Sequence, residues 1–235
     1  MSPAPGRVYV IGDIHGRSDL LEGMIGAISC DLETAAPADC LTITLGDYID
    51  RGPDSRQVVE RLANNPFPTR FVALKGNHEA ILEKFLVDPS IGEVWRRVGG
   101  LETLHSYGID VGPMMQGRGY EAAATALRSA LSPTHSDFFS SLETSLTLER
   151  YFLCHAGVRP NVPLAQQNEE DLLWIRDEFL LSETDFGKVV VHGHTPTEKP
   201  EICSNRINID TGAYLSGRLT CAVLEGERVR LLTAS

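Results

Sequence analysis

The chain has 235 residues, of which 42% are hydrophobic and 23% charged, a composition that is typical of globular proteins and excludes collagen-like and wholly disordered ones. Lys and Arg number 21 and Asp and Glu 32, which gives a formal net charge of −11. Nucleic acids and anionic membranes bind mainly to basic proteins, so we expect neither class of partner. Any anionic substrate must bind at a locally positive site.

The sequence has no long apolar segment and no cysteine pairing pattern. No apolar run approaches the ~18 residues of a membrane span, and the first one, residues 8–11, is too short for a signal peptide. The five cysteines are widely spaced and contain no Cys-x-x-Cys, which argues against a disulfide framework or a zinc knuckle. We therefore expect a cytoplasmic protein with reduced, mostly buried thiols.

Three strand-loop-helix units follow one another in the first third of the chain. Short β-branched and aromatic runs predict strands at residues 8–11, 41–45 and 71–74. Apolar residues at helical spacing predict one helix capped by Ser18, one that starts at Ser55 and one through Ile81 and Phe85. Such repetition is typical of a parallel sheet covered by helices, whose ligand sites lie beyond the carboxyl ends of the strands.

The pattern changes after this first third. Residues 88–145 contain helical stretches interrupted by glycines, and we interpret them as an inserted helical lid. Strands are predicted again at 151–154 and 189–191, followed by a meander of 206–209, 219–224 and 229–232, with a helix at 169–180. The second half should therefore form a mixed or antiparallel sheet, and residues 1–235 should form a single domain.

Five polar motifs each follow a predicted strand. They are GDIHG (12–16), GDYIDRG (46–52), GNHE (76–79), HAG (155–157) and HGHT (192–195), and they contain five of the seven histidines. One such histidine alone would be weak evidence, but the recurrence of Asp, Asn and His beside glycine at strand ends indicates a site. Imidazoles combined with carboxylate and amide oxygens can hold two divalent metals such as Mn, Fe or Zn, with Asp47 as the natural bridging ligand.

These motifs resemble those of the phosphoprotein phosphatase branch of the calcineurin-like metallophosphoesterases. The resemblance runs from Tyr9 to Tyr214 and is nearest to the bacterial and phage serine/threonine protein phosphatases of the lambda type, with the symmetrical diadenosine tetraphosphate hydrolases as relatives. It implies an α/β fold, specifically a four-layer α-β-β-α sandwich with mixed sheets and an inserted helical lid. It also implies a bacterial enzyme.

The resemblance also implies a set of metal ligands. Two divalent ions are expected, manganese first and iron or zinc as alternatives. One ion would be bound by Asp13, His15 and Asp47, and the other by Asp47, Asn77, His155 and His194. His192 would then be a strand-end residue, although the sequence leaves open an exchange of roles with His194.

Further residues would act on the substrate. By the resemblance, His78 would be the general acid, with Asp50 holding its imidazole, and Arg51 and Arg176 would bind the phosphate. A carboxylate partner raises the imidazole pKa and so keeps a proton available. Asn77 would also contact the phosphate. Arg159 and Tyr214 are further candidates for substrate contact, with an ordinary structural role as the alternative for Tyr214.

Two enzymatic hypotheses and one non-enzymatic hypothesis follow. The first is a phosphomonoesterase that removes phosphate from phosphoserine and phosphothreonine in proteins by direct attack of a metal-bridging hydroxide. Phosphotyrosine belongs to the same range of substrates. The second is a symmetrical diadenosine tetraphosphate hydrolase, which would take dinucleoside polyphosphates instead of phosphorylated peptides. The third is a binding module that has lost its chemistry. We expect a monomer in each case.

Overall fold

The computed structural model describes residues 6–35, 37 and 39–235. In this part of the chain ten strands form two sheets. They are β1 (Arg7–Ile11), β2 (Cys40–Thr44), β3 (Arg70–Ala73), β4 (Ser145–Thr147), β5 (Tyr151–Cys154), β6 (Val189–His192), β7 (Glu201–Ile202), β8 (Arg206–Asn208), β9 (Leu219–Glu225) and β10 (Arg228–Ala234).

Eleven α-helices accompany these strands among the described residues. They are α1 (Ser18–Ala35), α2 (Ser55–Ala63), α3 (Asn77–Val87), α4 (Gly92–Arg97), α5 (Gly100–Ser106), α6 (Gly112–Met115), α7 (Tyr120–Ala130), α8 (Pro133–Ser140), α9 (Glu169–Trp174), α10 (Asp177–Leu180) and α11 (Ala213–Ser216). Short 3₁₀ turns lie at Pro89–Ile91 and Leu164–Gln166.

The two sheets have five strands each and are both mixed. The first has the order β10-β9-β1-β2-β3, in which β1, β2 and β3 are parallel and β9 runs antiparallel to β1 and β10. The second has the order β4-β5-β6-β8-β7, in which β5, β6 and β8 are parallel and the edge strands are antiparallel. The predicted parallel and mixed sheets are therefore confirmed. However, β9 and β10 return to the first sheet, and the short strands β4 and β7 were not predicted.

Alternation along the strands creates separate apolar layers. In β1, Val8 and Val10 pack between the two sheets, whereas Tyr9 and Ile11 face the layer formed with α1 and α2. A third cluster covers the outer face of the second sheet with α9 and α10, where Phe179 is fully buried. The result is the α-β-β-α order that the family resemblance implied.

The helical segment, residues 88–145, contains α4 to α8. Its buried side chains, including Trp95, Leu104 and Leu127, belong to the same apolar cluster as α1 and α2. The segment is therefore packed into the first helical layer. Its action as a lid stays a prediction.

Two local predictions need correction. The helix predicted over residues 169–180 is interrupted at Ile175 and Arg176, which lie between α9 and α10. Ser18 begins α1, but its hydroxyl donates to Asp54 over 2.9 Å instead of capping the helix. At the break, the Leu172 carbonyl accepts the backbone N–H of Ala156 over 2.7 Å in place of that of Arg176, so in both cases a tertiary hydrogen bond overrides local preference.

Two expectations about cysteines and membrane spans can be compared with the structure. All five cysteines are free thiols, but Cys30 and Cys203 are exposed, so only part of the set is buried as expected. Among the described residues, no helix combines the length and the apolar character that crossing a bilayer requires.

An ion-pair network ties α1 to the first sheet. Asp31 accepts hydrogen bonds from Tyr9 (2.7 Å), Arg7 (2.9 Å) and both terminal nitrogens of Arg230 (2.9 and 3.0 Å). The hydrogen bonds from Arg230 lower the pKa of Asp31, with Tyr9 adding to the effect and partial burial opposing it. Its carboxylate therefore stabilises the fold above its usual pKa of about 4 and loses this effect as the pH falls through the lowered value.

We expect Asp31→Asn to lower the free energy of unfolding at pH 7 by about 1.5–3 kcal/mol, the range for a hydrogen bond to a charged group. Urea titrations of both proteins from pH 7 downwards should show this difference shrinking once the pH is below about 4. Asp39→Asn is the control, because Asp39 pairs with Arg70 on the surface and should matter little. A loss that stays constant over the whole range would contradict the electrostatic origin.

Candidate metal centre and active site

The loops that follow six parallel strands converge between the two sheets. The loops after β1, β2 and β3 carry Asp13, His15, Asp47 and Asn77, and those after β5, β6 and β8 carry His155, His194 and Asp210. All seven side chains are buried. The carboxyl ends of parallel strands therefore meet at one site, as the sequence predicted.

The backbone around this site is strained. Five non-glycine residues have left-handed φ angles between 45° and 70°: His15, Asp47, Asp50, Arg51 and His194. Each such conformation costs of the order of 1–3 kcal/mol and persists only where the surroundings enforce it. At Gly193 and Gly76 a Cβ atom would collide with the carboxylates of Asp13 and Asp47, respectively. The glycines of these two motifs are thus required for close approach of the backbone to the carboxylates.

Asp47 lies at the centre of the cluster. Its Oδ1 is 3.4 Å from Nε2 of His155, and its Oδ2 is 3.4 Å from Nε2 of His15. Asn77 Oδ1 lies 2.9 Å from His155 Nε2 and 2.8 Å from His194 Nδ1. The two oxygens of Asp47 therefore face two different groups of donors, which is the arrangement that a bridging ligand needs.

The imidazoles are held with a free nitrogen turned towards Asp47. Nδ1 of His15 is 2.8 Å from the Ile49 carbonyl oxygen, and Nδ1 of His155 is 2.9 Å from that of Leu45. A carbonyl can only accept, so Nδ1 donates in both rings and Nε2 keeps its lone pair. Backbone carbonyls fix metal-binding histidines in this way.

The protonation states of these side chains also favour the binding of cations. Burial lowers the pKa of His15 to about 3 and lowers the pKa of His155 and His194, so the rings are neutral donors. Burial, followed by the charges of Asp210 and Asp47, raises the pKa of Asp13 well above its ordinary value.

The cluster also contains a buried polar atom that lacks a partner. Oδ1 of Asp13 has no hydrogen-bond partner in the described structure. Crowded carboxylates with an unpaired buried oxygen are costly unless a cation compensates them. The residues present therefore fit two divalent metal ions.

The structure separates the two histidines of the HGHT motif. His194 lies in the Asp47 cluster, whereas the ring of His192 packs edge-on against Phe179, with ring centroids 4.9 Å apart. His192 is fully buried in the outer layer of the second sheet and its Nε2 is unpaired within the described residues. The geometry thus favours His194 as the ligand.

His78 and Asp50 form a pair beside the cluster. Nδ1 of His78 is 2.7 Å from Oδ2 of Asp50. Burial alone would lower the pKa of His78, but the charge of Asp47 and the hydrogen bond and charge of Asp50 outweigh it and raise the pKa to about 9. His78 therefore keeps a proton at neutral pH, as a general acid must.

Two arginines lie at the entrance to the cluster. Arg51 donates to the hydroxyl of Tyr214 over 2.7 Å, lies 4.7 Å from the centroid of its ring, and approaches His78 Nε2 to 3.3 Å. Arg176 is exposed at the break between α9 and α10 and donates to Thr195 over 3.3 Å. Thr195 directly follows His194, so this guanidinium lies on the His194 side of the cluster.

Arg159 is engaged elsewhere. Its guanidinium forms ion pairs of 2.5 Å with Asp171 on α9 and with Glu178 on α10. Those contacts fasten the two short helices that flank Arg176. The contact with substrate expected for Arg159 stays a prediction, and its present partners favour a structural role.

Sequence reasoning missed two buried carboxylates. Glu79 accepts the backbone N–H groups of Asp47 (2.8 Å), Tyr48 (2.9 Å) and Gly76 (3.0 Å), and so supports the strained loop after β2. Asp210 follows β8 and accepts the N–H of Gly212 over 2.8 Å. Burial is the main cause that raises the pKa of Asp210 to about 6. Its place after a predicted strand was the only signal that could have found it.

Comparison with known proteins gives a consistent picture. The sequence profile of the calcineurin-like phosphoesterase family matches residues 6–231. Serine/threonine-protein phosphatase 2 of Escherichia coli K12 is 31% identical over 222 residues, which cover 91% of this chain and 90% of that protein. The asymmetrical bis(5'-nucleosyl)-tetraphosphatase PrpE of Anoxybacillus flavithermus is 26% identical over 229 residues, covering 90% and 87%.

A solved structure agrees at the level of the fold. The crystal structure of a cold-active protein-tyrosine phosphatase from a psychrophilic Shewanella superposes with a TM-score of 0.62 at 14% identity, covering 98% of this chain and 81% of that one.

Proposed function

The chain belongs to the calcineurin-like phosphoesterase family and is a hydrolase of phosphate esters, and from this premise we propose that it removes phosphate from phosphoserine and phosphothreonine in proteins, with phosphotyrosine in the same range. One observation carries the proposal. The donor cluster around Asp47 lies beside the His78–Asp50 pair and between Arg51 and Arg176. A phosphoryl group bound there would meet metal, acid and arginine at once.

The proposed metal ligands are those predicted from the motifs. Asp13, His15 and Asp47 would hold one divalent ion, and Asp47, Asn77, His155 and His194 the other, with manganese as the proposed metal. When bound, such ions lower the pKa of water and neutralise phosphoryl oxygens. The mixed nitrogen and oxygen donors support Mn, Fe or Zn over Mg or Ca.

His78 also lies within reach of Asp47 and His15, so it could be taken for a ligand. Its surroundings favour the role of acid instead. Nδ1 is bonded to Asp50, and the raised pKa of His78 keeps both ring nitrogens protonated, so Nε2 has no lone pair to offer a metal. We infer that Nε2 gives its proton to the leaving oxygen of the serine or threonine.

The arginines would bind the phosphoryl oxygens. A guanidinium offers several donors in one plane and stays charged, which suits a tetrahedral anion. Tyr214 holds Arg51 through its hydroxyl and its ring. Asn77 lies next to His78 at the start of α3 and is the third proposed contact.

Charge near Arg176 favours a monoester over a polyphosphate. Arg176 shares a surface depression with Glu170, Asp177 and Glu178, and Arg159 in the same depression is already ion-paired. The additional negative charges of a dinucleoside tetraphosphate would meet this acidic wall. A phosphorylated peptide places only one phosphate in the site, and the charges of its other residues differ from one peptide to another.

We extend the proposal to the setting of the enzyme: a monomer in the bacterial cytoplasm that binds neither nucleic acid nor membrane. The net charge of −11 and the five free cysteines support this setting.

The test is phosphate release by metal-stripped protein reloaded with manganese, with a phosphoserine peptide and diadenosine tetraphosphate at matched concentrations. We expect a peptide kcat/KM at least tenfold higher, about 1.4 kcal/mol of transition-state discrimination. The reverse ratio would assign the enzyme to dinucleotide hydrolysis, and the products would separate symmetrical from asymmetrical cleavage. No turnover of either compound would favour the non-catalytic module.

A further inference from the structure

We propose that Thr103 and Trp95, both in the helical segment, are positioning residues that fix the Asp50 carboxylate and thereby aim His78 at the leaving group. This inference rests on the proposed role of His78 as general acid. It assigns to residues 88–145 a part in the chemistry in addition to any covering of the site.

Thr103 bonds to both the backbone and the side chain of Asp50. Its Oγ1 accepts the Asp50 backbone N–H over 2.9 Å and donates to Asp50 Oδ1 over 2.5 Å. A single hydroxyl thus closes a loop around one residue whose φ is +70°. The side chains of Thr103 and Asp50 are both fully buried, so no water competes for these bonds.

Trp95 supplies the second contact. Its Nε1 donates over 2.9 Å to Oδ2 of Asp50, the same oxygen that lies 2.7 Å from His78 Nδ1. Trp95 has no exposed surface and packs against Phe85, with ring centroids 4.6 Å apart. The indole is therefore fixed by packing, and it fixes the carboxylate in turn.

The same segment also contacts the neighbouring phosphate-binding candidate. The backbone N–H of Arg51 donates to the Gly99 carbonyl over 3.2 Å. Gly99 has a φ of +111°, and a Cβ there would lie 2.5 Å from the Arg51 nitrogen. The turn before α5 therefore supports the strained Asp50–Arg51 pair.

These contacts determine the orientation of Asp50. With Oδ1 bonded to Thr103 and Oδ2 to Trp95, only one orientation of the carboxylate satisfies both donors, and that orientation places Oδ2 at His78 Nδ1. Without the Thr103 hydroxyl, the Asp50 N–H keeps a partner in Ser55 Oγ at 3.0 Å, but Oδ1 loses its donor. We expect the loop to survive and the carboxylate to lose its fixed orientation.

The experiment compares two substrates in Thr103→Val, which removes the hydroxyl and keeps the shape. A serine alkoxide needs protonation to leave, whereas the nitrophenolate of p-nitrophenyl phosphate leaves with little help. We expect kcat to fall roughly tenfold or more for a phosphoserine peptide and less than about threefold for p-nitrophenyl phosphate, with KM unchanged. Thr103→Ser should restore the peptide rate, because it returns the hydroxyl.

Matched variants make the result decisive. Thr42→Val makes the same change at a buried threonine whose hydroxyl bonds to Thr69 over 2.7 Å, and it should reduce neither rate. Trp95→Phe removes the other donor and should split the two substrates in the same direction. Equal losses on both substrates in Thr103→Val and Trp95→Phe, with a lowered melting temperature, would reduce the contacts to a structural role and overturn the proposal.

His78→Asn separates the role of His78 as general acid from the positioning role of Thr103. If His78→Asn splits the substrates and Thr103→Val does not, the positioning role fails and the acid survives. If His78→Asn affects both substrates equally, the acid assignment fails, and the positioning role fails with it.

Discussion

Replacing His78 with Asn is expected to lower kcat for a phosphoserine peptide by on the order of 10² to 10⁴, the usual contribution of a general acid. His78 is buried, its Nδ1 is bonded to Asp50, and its pKa is raised to about 9, so it carries the proton that the leaving oxygen needs. Asn cannot supply that proton at neutral pH. Steady-state kinetics together with elemental analysis would show low turnover at an unchanged metal content.

His135→Asn is the matched control for this substitution. His135 is also buried, but it bonds to Tyr107 and Glu60, each over 2.8 Å, away from the metal cluster. Its loss should lower stability and leave kcat of the folded protein nearly unchanged. Near-normal turnover in His78→Asn would contradict the acid assignment, and loss of metal from that variant would indicate that His78 is a ligand.

The positions of the proposed ligands could be predicted because each depends on a local pattern. A glycine and a polar residue occur together at the ends of β1, β2, β3, β5 and β6, and the ends of parallel strands necessarily come close in a packed sheet. Asp13, Asp47 and His155 could thus be placed at one site without knowledge of any distance. The family resemblance then supplied the division into two metal sites.

The choice between His192 and His194 could not be made from periodicity. Residues two apart in a strand share a face, so the pattern predicts the same side for both. In the structure the strand ends at His192, and His194 adopts a φ of +65°, which turns its side chain into the cluster. A left-handed turn at a non-glycine residue leaves no signal in hydrophobic spacing.

Residues that act only through tertiary contacts could not be predicted from the sequence either. Trp95 and Thr103 occupy buried helical positions of the kind that core residues occupy, and only the fold brings them to Asp50. Likewise, the alternation in β9 and β10 indicated strands but could not reveal that they pair with β1. Pairing partners depend on burial of the whole sheet face, which no single segment encodes.

Replacing Asp47 with Asn should deplete the metal. The two carboxylate oxygens face His155 and His15 at 3.4 Å each, and the charge of the protonated His78 lowers the pKa of Asp47 against the effect of burial, so the group is an anion with an imidazole nitrogen on either side. An amide is neutral and has one oxygen. We expect the affinity for metal to fall by more than the roughly 10–100-fold that loss of an outer hydrogen-bond partner costs, and turnover to fall with it.

Two readouts separate this effect from misfolding. Elemental analysis should find fewer than two metal ions per chain in Asp47→Asn, and its melting temperature should respond less to added manganese than that of the parent, because a ligand at 100 times its Kd stabilises a fold by about 2.7 kcal/mol. Asp137→Asn, the same change on the exposed face of α8, should keep both metals and the full thermal response. Two tightly bound ions in Asp47→Asn would mean that the bridge is formed by another residue, and Asp210, which lies next to Asp13, would be the first to test.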